Sequence, residues 1–226
     1  MEVKRRRLEV KPSETNSSEN PSPLVDQLSS NDDNVVLKTL MQLKKKFNTS
    51  DEVTSFLSSN QQFIQTLLVV TKRYFSNLSI QVEAIKLRII KESIAVLANC
   101  CYLSLSACVK IMQPGLQFGL LAVRILESGD RTDVSIKASI LRLIANICRD
   151  SQLAKTIASI STLLDRIMMS IIIETSEISG QALRIVGLLA KNPTQAKVSF
   201  NEILIYLFIK MYNALECCYR LTKLTD

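Results

Sequence analysis

The segment TDVSIKASILRLIANIC, which covers Thr132–Cys148, decides the fold of this 226-residue chain. Its apolar side chains recur every three or four residues, which is the spacing of one face of an α-helix. Asp133 precedes the first turn, where a carboxylate can accept hydrogen bonds from free backbone amides. The segment therefore predicts a capped helix with a buried apolar face, formed by Ile136, Ile140, Leu143, Ile144 and Ile147.

Parts of this segment recur on both sides of it. The sequence LRLIA at 141–145 matches LRIVG at 183–187 at an offset of 42 residues, and IAN at 144–146 matches LAN at 97–99 at an offset of 47. Helical repeats of this length stack on one another, so that each repeat covers the apolar face of the next. The recurrence therefore predicts a superhelical stack of short helices.

The composition also favours helices. A hydrophobic content of 47% is enough to bury a core in a chain of this length. Neither glycine nor proline occurs between Pro23 and Pro114, and β-hairpin turns are difficult to form over such a distance without them. The predicted fold class is therefore all-α.

Each unit of the pattern contains a long, a short and a medium helix. Long helices are predicted at 33–48, 80–101, 133–149 and 177–191. The fourth unit continues through predicted helices at 194–199 and 201–215. This order predicts about four units in a domain that covers residues 32–226.

The succession resembles the armadillo repeat, counted from its third helix. Its long-helix motif, Ala-x-x-x-Leu-x-Asn-Leu, is matched by ASILRLIANI at 138–147 and IAVLANCC at 94–101, and Pro114-Gly115 matches the break before the medium helix. The resemblance implies a right-handed superhelical solenoid of about four repeats, whose long helices line a concave groove. HEAT-like helical pairs are the alternative, because HEAT repeats share the length and the apolar pattern but use two helices per unit.

Asn99 and Asn146 are the candidate partner-binding asparagines. In armadillo proteins, asparagines one repeat apart hold the backbone of an extended peptide, because an amide both donates and accepts hydrogen bonds. The resemblance gives Asn99 and Asn146 this role, although Leu188 stands at the matching position of the fourth unit. The alternative is that both asparagines are structural.

A row of basic residues lies near those asparagines in the pattern. Arg142 and Arg149 are each one helical turn from Asn146, and Arg184 and Lys191 occupy equivalent positions in the next unit. If the long helices line a groove, these cations form a strip suited to an acidic segment of a protein partner. The alternative is an ordinary solvated face. The import receptors of the family bind basic signals and carry a tryptophan that this sequence lacks, so such a receptor is not expected.

Residues 1–31 form a segment of different composition, rich in Ser, Asn, Pro and charged residues. Such a composition predicts a disordered leader. It contains one compact basic cluster, formed by Lys4, Arg5, Arg6 and Arg7. The cluster predicts a nuclear import signal and hence a nuclear location; a solvated charge run and a cytoplasmic location are the alternatives.

Several function classes are not expected. The chain has no histidine, no phosphate-binding glycine loop and no glycine-flanked serine, so we expect neither an enzyme nor a cofactor. The longest uncharged run, Ser93–Val109, is short for a bilayer span, so no membrane association is expected. No metal site is expected, because neither adjacent cysteine pair has the spacing that zinc requires. The six cysteines are predicted to be reduced core residues: Cys100, Cys101, Cys108, Cys148, Cys217 and Cys218.

The sequence thus predicts a non-enzymatic adaptor or scaffold that binds a protein partner. One alternative is a helical repeat associated with nucleic acid, because the net charge is +7 and residues 1–31 contribute none of it. Another is a structural subunit of a larger complex. The apolar segment at 203–219 then predicts self-association through the C-terminal face.

Overall fold

The computed structural model describes residues 23–78, 83–129 and 132–191. Within these ranges the chain forms eleven α-helices and one 3-10 turn at Pro114–Leu116, with no β-strand. The helices are α1 (Pro23–Gln27), α2 (Asp33–Lys46), α3 (Ser50–Ser59), α4 (Phe63–Ser76), α5 (Ala84–Leu103), α6 (Leu105–Ile111), α7 (Phe118–Leu126), α8 (Val134–Ile147), α9 (Ser151–Ala158), α10 (Ser161–Ile173) and α11 (Ser176–Ala190).

The helices stack in chain order. The long helices α2, α5, α8 and α11 form one layer, in which α5 packs between α2 and α8, and α11 packs on the other side of α8. The medium helices α4, α7 and α10 form a second row, with α7 in contact with both neighbours. We call the first row the long-helix layer. The predicted all-α solenoid is confirmed, and the order long, short, medium supports three-helix units over HEAT-like pairs.

Polar side chains fix where several helices begin. Asp32 and Asp133 accept hydrogen bonds of 2.8 and 3.2 Å from backbone amides of α2 and α8, and Asp150 caps α9 in the same way. At the start of α3, Thr49 and Glu52 each accept a hydrogen bond from the other's backbone amide. These bonds satisfy amides that a helix leaves without partners in its first turn.

The carboxyl end of α5 is held by donors from four places in the chain. The last four carbonyls of a helix lack intrahelical partners. In α5 the carbonyl oxygens of residues 100–103 all accept hydrogen bonds, at distances between 2.8 and 3.1 Å. The Ser104 amide donates to the carbonyl of residue 100, and the Cys108 thiol donates to that of residue 101. The Arg149 guanidinium donates to the carbonyl of residue 102, and the Ser50 hydroxyl donates to that of residue 103. This helix end is therefore fixed by α3, α6 and the segment after α8.

The core is a continuous aliphatic band along the stack. All five residues of the predicted α8 stripe are buried. The part of the core between α2, α3 and α4 is aromatic. There Phe47, Phe56 and Phe63 pack edge to face, with ring centroids 4.9–5.7 Å apart. Cys100, Cys101, Cys108 and Cys148 are buried, as the pattern predicts, whereas Cys217 and Cys218 lie outside the described residues.

Two predicted boundaries need correction. The folded part includes residues 23–31, which the composition assigns to the disordered leader: Pro23–Gln27 is helical, and Leu28 is 0% exposed in the core. One helical turn is too short to show an apolar period, so the sequence pattern missed it. The sequence also predicts that the medium helix after the Pro114-Gly115 break starts at Leu116. It begins instead at Phe118, because Gln117 adopts a left-handed conformation with φ of 49°.

The predicted helices at 194–199 and 201–215 lie outside the described residues. Among the helices that are described, none is both long and apolar enough to cross a bilayer on its own, and α9 and α10 reach that length only as a pair bent by 91°.

Candidate functional site

The exposed side of α8 and α11 carries the candidate site. We call Arg142, Arg149, Arg184 and Lys191 the basic row. The structure brings its first three members around Asn146, because Arg142 and Arg149 lie one turn from it on either side and Arg184 reaches it from α11. Lys191 is exposed at the carboxyl end of α11, two turns beyond Arg184. The long-helix layer therefore carries all four cations, three of them exposed and Arg142 half-buried.

Asn146 connects three helices. Its Nδ2 donates a hydrogen bond of 2.9 Å to the carbonyl oxygen of Ala98 in α5, and its Oδ1 accepts one of 3.3 Å from Arg184 in α11. The residue is only 5% exposed. Both ends of the Asn146 amide are thus engaged within the fold, as the structural alternative expects, and a role in partner binding stays a prediction.

Asn99 has different surroundings. It lies next to Ala98 on α5, on the turn that faces Asn146, and its side chain is half-buried. Within residues 23–78, 83–129 and 132–191, the Asn99 side chain makes no hydrogen bond. The amide is therefore available to an external group, and the two predicted asparagines lie on neighbouring turns of stacked helices.

Arg149 is held in place by Tyr102. The guanidinium carbon lies 4.5 Å from the centroid of the Tyr102 ring, and Nη1 donates a hydrogen bond of 3.0 Å to the Tyr102 carbonyl oxygen. A cation over an aromatic face is attracted by the ring electrons. Arg149 is nevertheless exposed, so the contact orients its charge toward solvent without neutralising it.

Arg142 is the least satisfied member of the basic row. The residue is half-buried, and its Nε is buried without a hydrogen-bond acceptor in the described part of the chain. Leaving a buried donor unpaired costs roughly 1–3 kcal/mol, more for a charged group.

Two carboxylates near the long-helix layer are already paired. Glu92 on α5 accepts a hydrogen bond of 2.9 Å from Lys44, and Glu174 pairs with the buried Lys137 at 2.8 Å. Among the described residues, no member of the basic row forms an ion pair. Helix α8 contains two basic residues and no acidic one, whereas in α11 Glu177 balances the charge of Arg184.

Solved structures of similar shape identify the architecture. An engineered protein superposes with a TM-score of 0.63 at 18% identity, covering 80% of this chain and 66% of that one. A designed armadillo repeat protein gives a TM-score of 0.59 at 15% identity, covering 74% and 63%. Another, in complex with the peptide (KR)4, gives 0.60 at 14%, covering 76% and 67%. The chain has an armadillo-like helical-repeat fold.

No protein-family model matches the sequence, and no curated protein is significantly similar to it. The chain spans about two thirds of the length of the solved chains named above. At these identities the likeness shows the armadillo-like fold and assigns no ligand.

The sequence pattern missed an exposed apolar group next to the basic row. Tyr102, Leu105 and Val109 are 55%, 56% and 51% exposed. A signal was present in α6, where Ala107, Cys108 and Ile111 already form the buried stripe. Once these three residues are known to be buried, Leu105 and Val109 must lie on the opposite, exposed face of α6. The sequence of this seven-residue helix has apolar side chains on both faces, so it does not show by itself which face is buried.

Two cysteines of the armadillo-like core are held in the thiol form by burial. Burial raises the pKa of Cys100 and of Cys148 to about 12, so both remain thiols at neutral pH. Within the three described ranges, no three Cys, Asp or Glu side chains are placed to hold a metal ion. The basic cluster predicted as an import signal, Lys4, Arg5, Arg6 and Arg7, lies outside the described residues.

Proposed function

We propose that this chain is a non-enzymatic scaffold that binds an extended, acidic segment of a protein partner along its long-helix layer. The basic row carries the proposal, because four cations line one face while none has an anionic partner among the described residues. In the armadillo repeat, the corresponding helices line the concave surface. An extended segment on that surface would meet the basic row in sequence.

The sign of the charge sets the expected ligand. One solved armadillo structure of similar shape is in complex with (KR)4, a basic peptide. Here the corresponding layer carries Arg142, Arg149, Arg184 and Lys191, which would repel such a peptide and attract carboxylates through charge-assisted hydrogen bonds. Asn99, whose amide is unpaired within the described ranges, is the residue we expect to hold the peptide backbone.

Fluorescence polarisation with two labelled peptides, (DE)4 and (KR)4, tests the proposal. We expect (DE)4 to bind and (KR)4 not to bind. The double variant Arg142→Glu/Lys191→Glu should weaken (DE)4 binding about tenfold or more, because it replaces two attractions by repulsions. Neither side chain makes a hydrogen bond within the described residues. Because Arg142 is half-buried, urea unfolding must show that the variant is folded before its binding is compared with that of the parent.

The matched control is Arg124→Glu/Lys155→Glu, which changes the net charge equally on α7 and α9. This variant should bind (DE)4 as the parent does. Equal weakening by both variants would show that net charge alone attracts the peptide and would contradict the proposal. Tighter binding of duplex DNA than of (DE)4, with a steep dependence on salt, would favour the nucleic-acid alternative.

We also propose a nuclear location, which rests on the basic cluster Lys4–Arg7 alone. The test is the distribution in cells of the chain fused to tandem fluorescent proteins. Replacing Lys4, Arg5, Arg6 and Arg7 by alanine should move the fusion to the cytoplasm, whereas replacing Lys45 and Lys46 should not. An unchanged distribution of the first variant would remove the proposal.

Self-association through the C-terminal face remains a separate proposal, supported by the apolar composition of residues 203–219. Sedimentation velocity over a wide concentration range tests it. A sedimentation coefficient that rises with concentration is expected, and a constant value for the monomer would contradict it.

A further inference from the structure

Three exposed apolar side chains form one group at the carboxyl end of α5. Leu105 and Val109 lie one turn apart on the outward face of α6, and Tyr102 precedes them at the end of α5. We call Tyr102, Leu105 and Val109 the apolar patch. Single exposed apolar residues are common on protein surfaces, but adjacent ones on a polar rim mark interaction sites.

Two members of the apolar patch, Tyr102 and Leu105, border an open cleft, and Val109 lies one helical turn beyond Leu105. The cleft has a volume of about 290 Å³, and Tyr102, Leu105, Asn146 and Arg149 are among its lining residues. An apolar cavity of about 150 Å³ holds a benzene-sized group. The cleft therefore has room for one large side chain.

The same cleft contacts the basic row. Arg149 belongs to that row, and its guanidinium lies against the Tyr102 ring at 4.5 Å. Asp150, the carboxylate at the rim, accepts two backbone amide hydrogen bonds, at 3.0 and 2.9 Å, from the first turn of α9. That charge is thus engaged within the protein, while the Arg149 charge faces outward.

We infer that the partner segment carries a large apolar side chain next to its acidic residues, and that this side chain enters the cleft between Tyr102 and Leu105. The inference rests on the proposed function, because the acidic residues are assigned to the basic row. The two features are joined physically through Arg149, which contributes its charge to the row and its stem to the cleft wall. Arg149 also restrains the Tyr102 ring, which reduces the ordering cost of binding.

Peptide composition and surface variants together test the inference. The probes are labelled (DE)4 peptides extended by phenylalanine or by alanine, at the amino end in one pair and at the carboxyl end in another. For the parent protein, one phenylalanine peptide should bind about tenfold more tightly than its alanine counterpart, because burying an aromatic side chain is favourable. The double variant Leu105→Ser/Val109→Ser should abolish that advantage and leave binding of the alanine peptide unchanged.

The matched control is Val69→Ser/Leu120→Ser, which removes the same two exposed side-chain types from α4 and α7. It should retain the advantage of phenylalanine. Equal binding of the phenylalanine and alanine peptides to the parent would overturn this inference and leave the proposed function intact. Failure of every acidic peptide to bind would overturn both.

Two other experimental results would contradict the inference. If the parent dimerises in sedimentation experiments and Leu105→Ser/Val109→Ser is a monomer, the patch binds a second copy of this chain, and the inference is wrong. If the control variant loses the phenylalanine advantage as fully as the patch variant does, the effect is non-specific, and the inference is also wrong.

Discussion

The Nδ2 atom of Asn146 lies 2.9 Å from the carbonyl oxygen of Ala98, so a side chain of α8 is bonded to the backbone of the preceding long helix. The same side chain accepts a hydrogen bond from Arg184 in the following long helix. Asn99, at the matching position one repeat earlier, has no such bond to the described residues. Two asparagines that look equivalent in the sequence therefore differ in what they hold.

Alanine substitutions should separate these two roles. We expect Asn146→Ala to lower the free energy of unfolding by about 1–3 kcal/mol, because it removes two hydrogen bonds from a buried position. Asn99→Ala should change it by less than about 0.5 kcal/mol, as is usual for residues without internal partners. Urea unfolding of both variants measures the difference. If the two variants are equally stable, the hydrogen bonds of Asn146 contribute nothing to stability.

Leu143 lies in the centre of the aliphatic band. Leu143→Ala should lower the free energy of unfolding by roughly 2–5 kcal/mol, because it removes buried methyl groups and leaves a cavity. Leu183→Ala, at an exposed leucine of α11, is the matched control and should have little effect. Thermal and urea unfolding followed by circular dichroism compare the two. Similar stabilities would show that α8 is not at the centre of the core.

Leu28 tests the revised start of the folded region. Leu28→Ala should cost roughly 2–5 kcal/mol, because the side chain is 0% exposed and packs in the main core. The exposed Gln27 accepts a hydrogen bond of 3.0 Å from Thr39, so Gln27→Ala should cost only about 1 kcal/mol. Wild-type stability of Leu28→Ala would restore the boundary predicted at residue 31.

Asp133 provides a prediction about pH. Hydrogen bonds from the Ser135 amide and then from its hydroxyl lower the pKa of Asp133 below its ordinary value of 3.8. A carboxylate with a lowered pKa stabilises the folded state above its unfolded pKa, and this contribution is lost as the pH falls through the folded pKa. Asp133→Ala should therefore cost about 1 kcal/mol at neutral pH and much less near a pH of about 2.

Asp133→Asn is the control for that experiment, because asparagine caps a helix as well as aspartate does but does not titrate. Its stability relative to the parent should increase as the pH falls below the ordinary pKa of the carboxyl. Urea unfolding at several pH values gives both comparisons. A constant difference between the parent and Asp133→Ala across that range would rule out the carboxylate as the source of the stabilisation.

The helices that the sequence predicts well are those with long apolar periods. The α8 stripe of Ile136, Ile140 and Leu143 has one consistent interpretation, and the capping role of Asp133 follows from its position. The short helix α1 lacks enough residues to show a period. Leu28 directly follows α1 and is buried in the main core, and such a tertiary contact is not contained in any local pattern.

The candidate site is predictable in part for a related reason. The positions of Arg142, Arg149 and Arg184 on one face follow from helical spacing and the repeat offset. Their hydrogen-bond partners do not follow from the sequence, because the bond from Arg184 to Asn146 depends on how closely α8 and α11 stack. The contact of Arg149 with Tyr102 likewise joins residues 47 positions apart whose proximity only the superhelix determines.

The hydrogen bonds at the carboxyl end of α5 should influence which part of the solenoid unfolds locally first. Its terminal carbonyls are bonded to Ser50 from the preceding unit and to Arg149 from the following one. Exchange of amide hydrogens with solvent should consequently be slowest in the middle of the solenoid and fastest at its two extremities. The unit that begins with α5 is therefore hydrogen-bonded to both neighbouring units, and it cannot unfold locally without breaking these bonds.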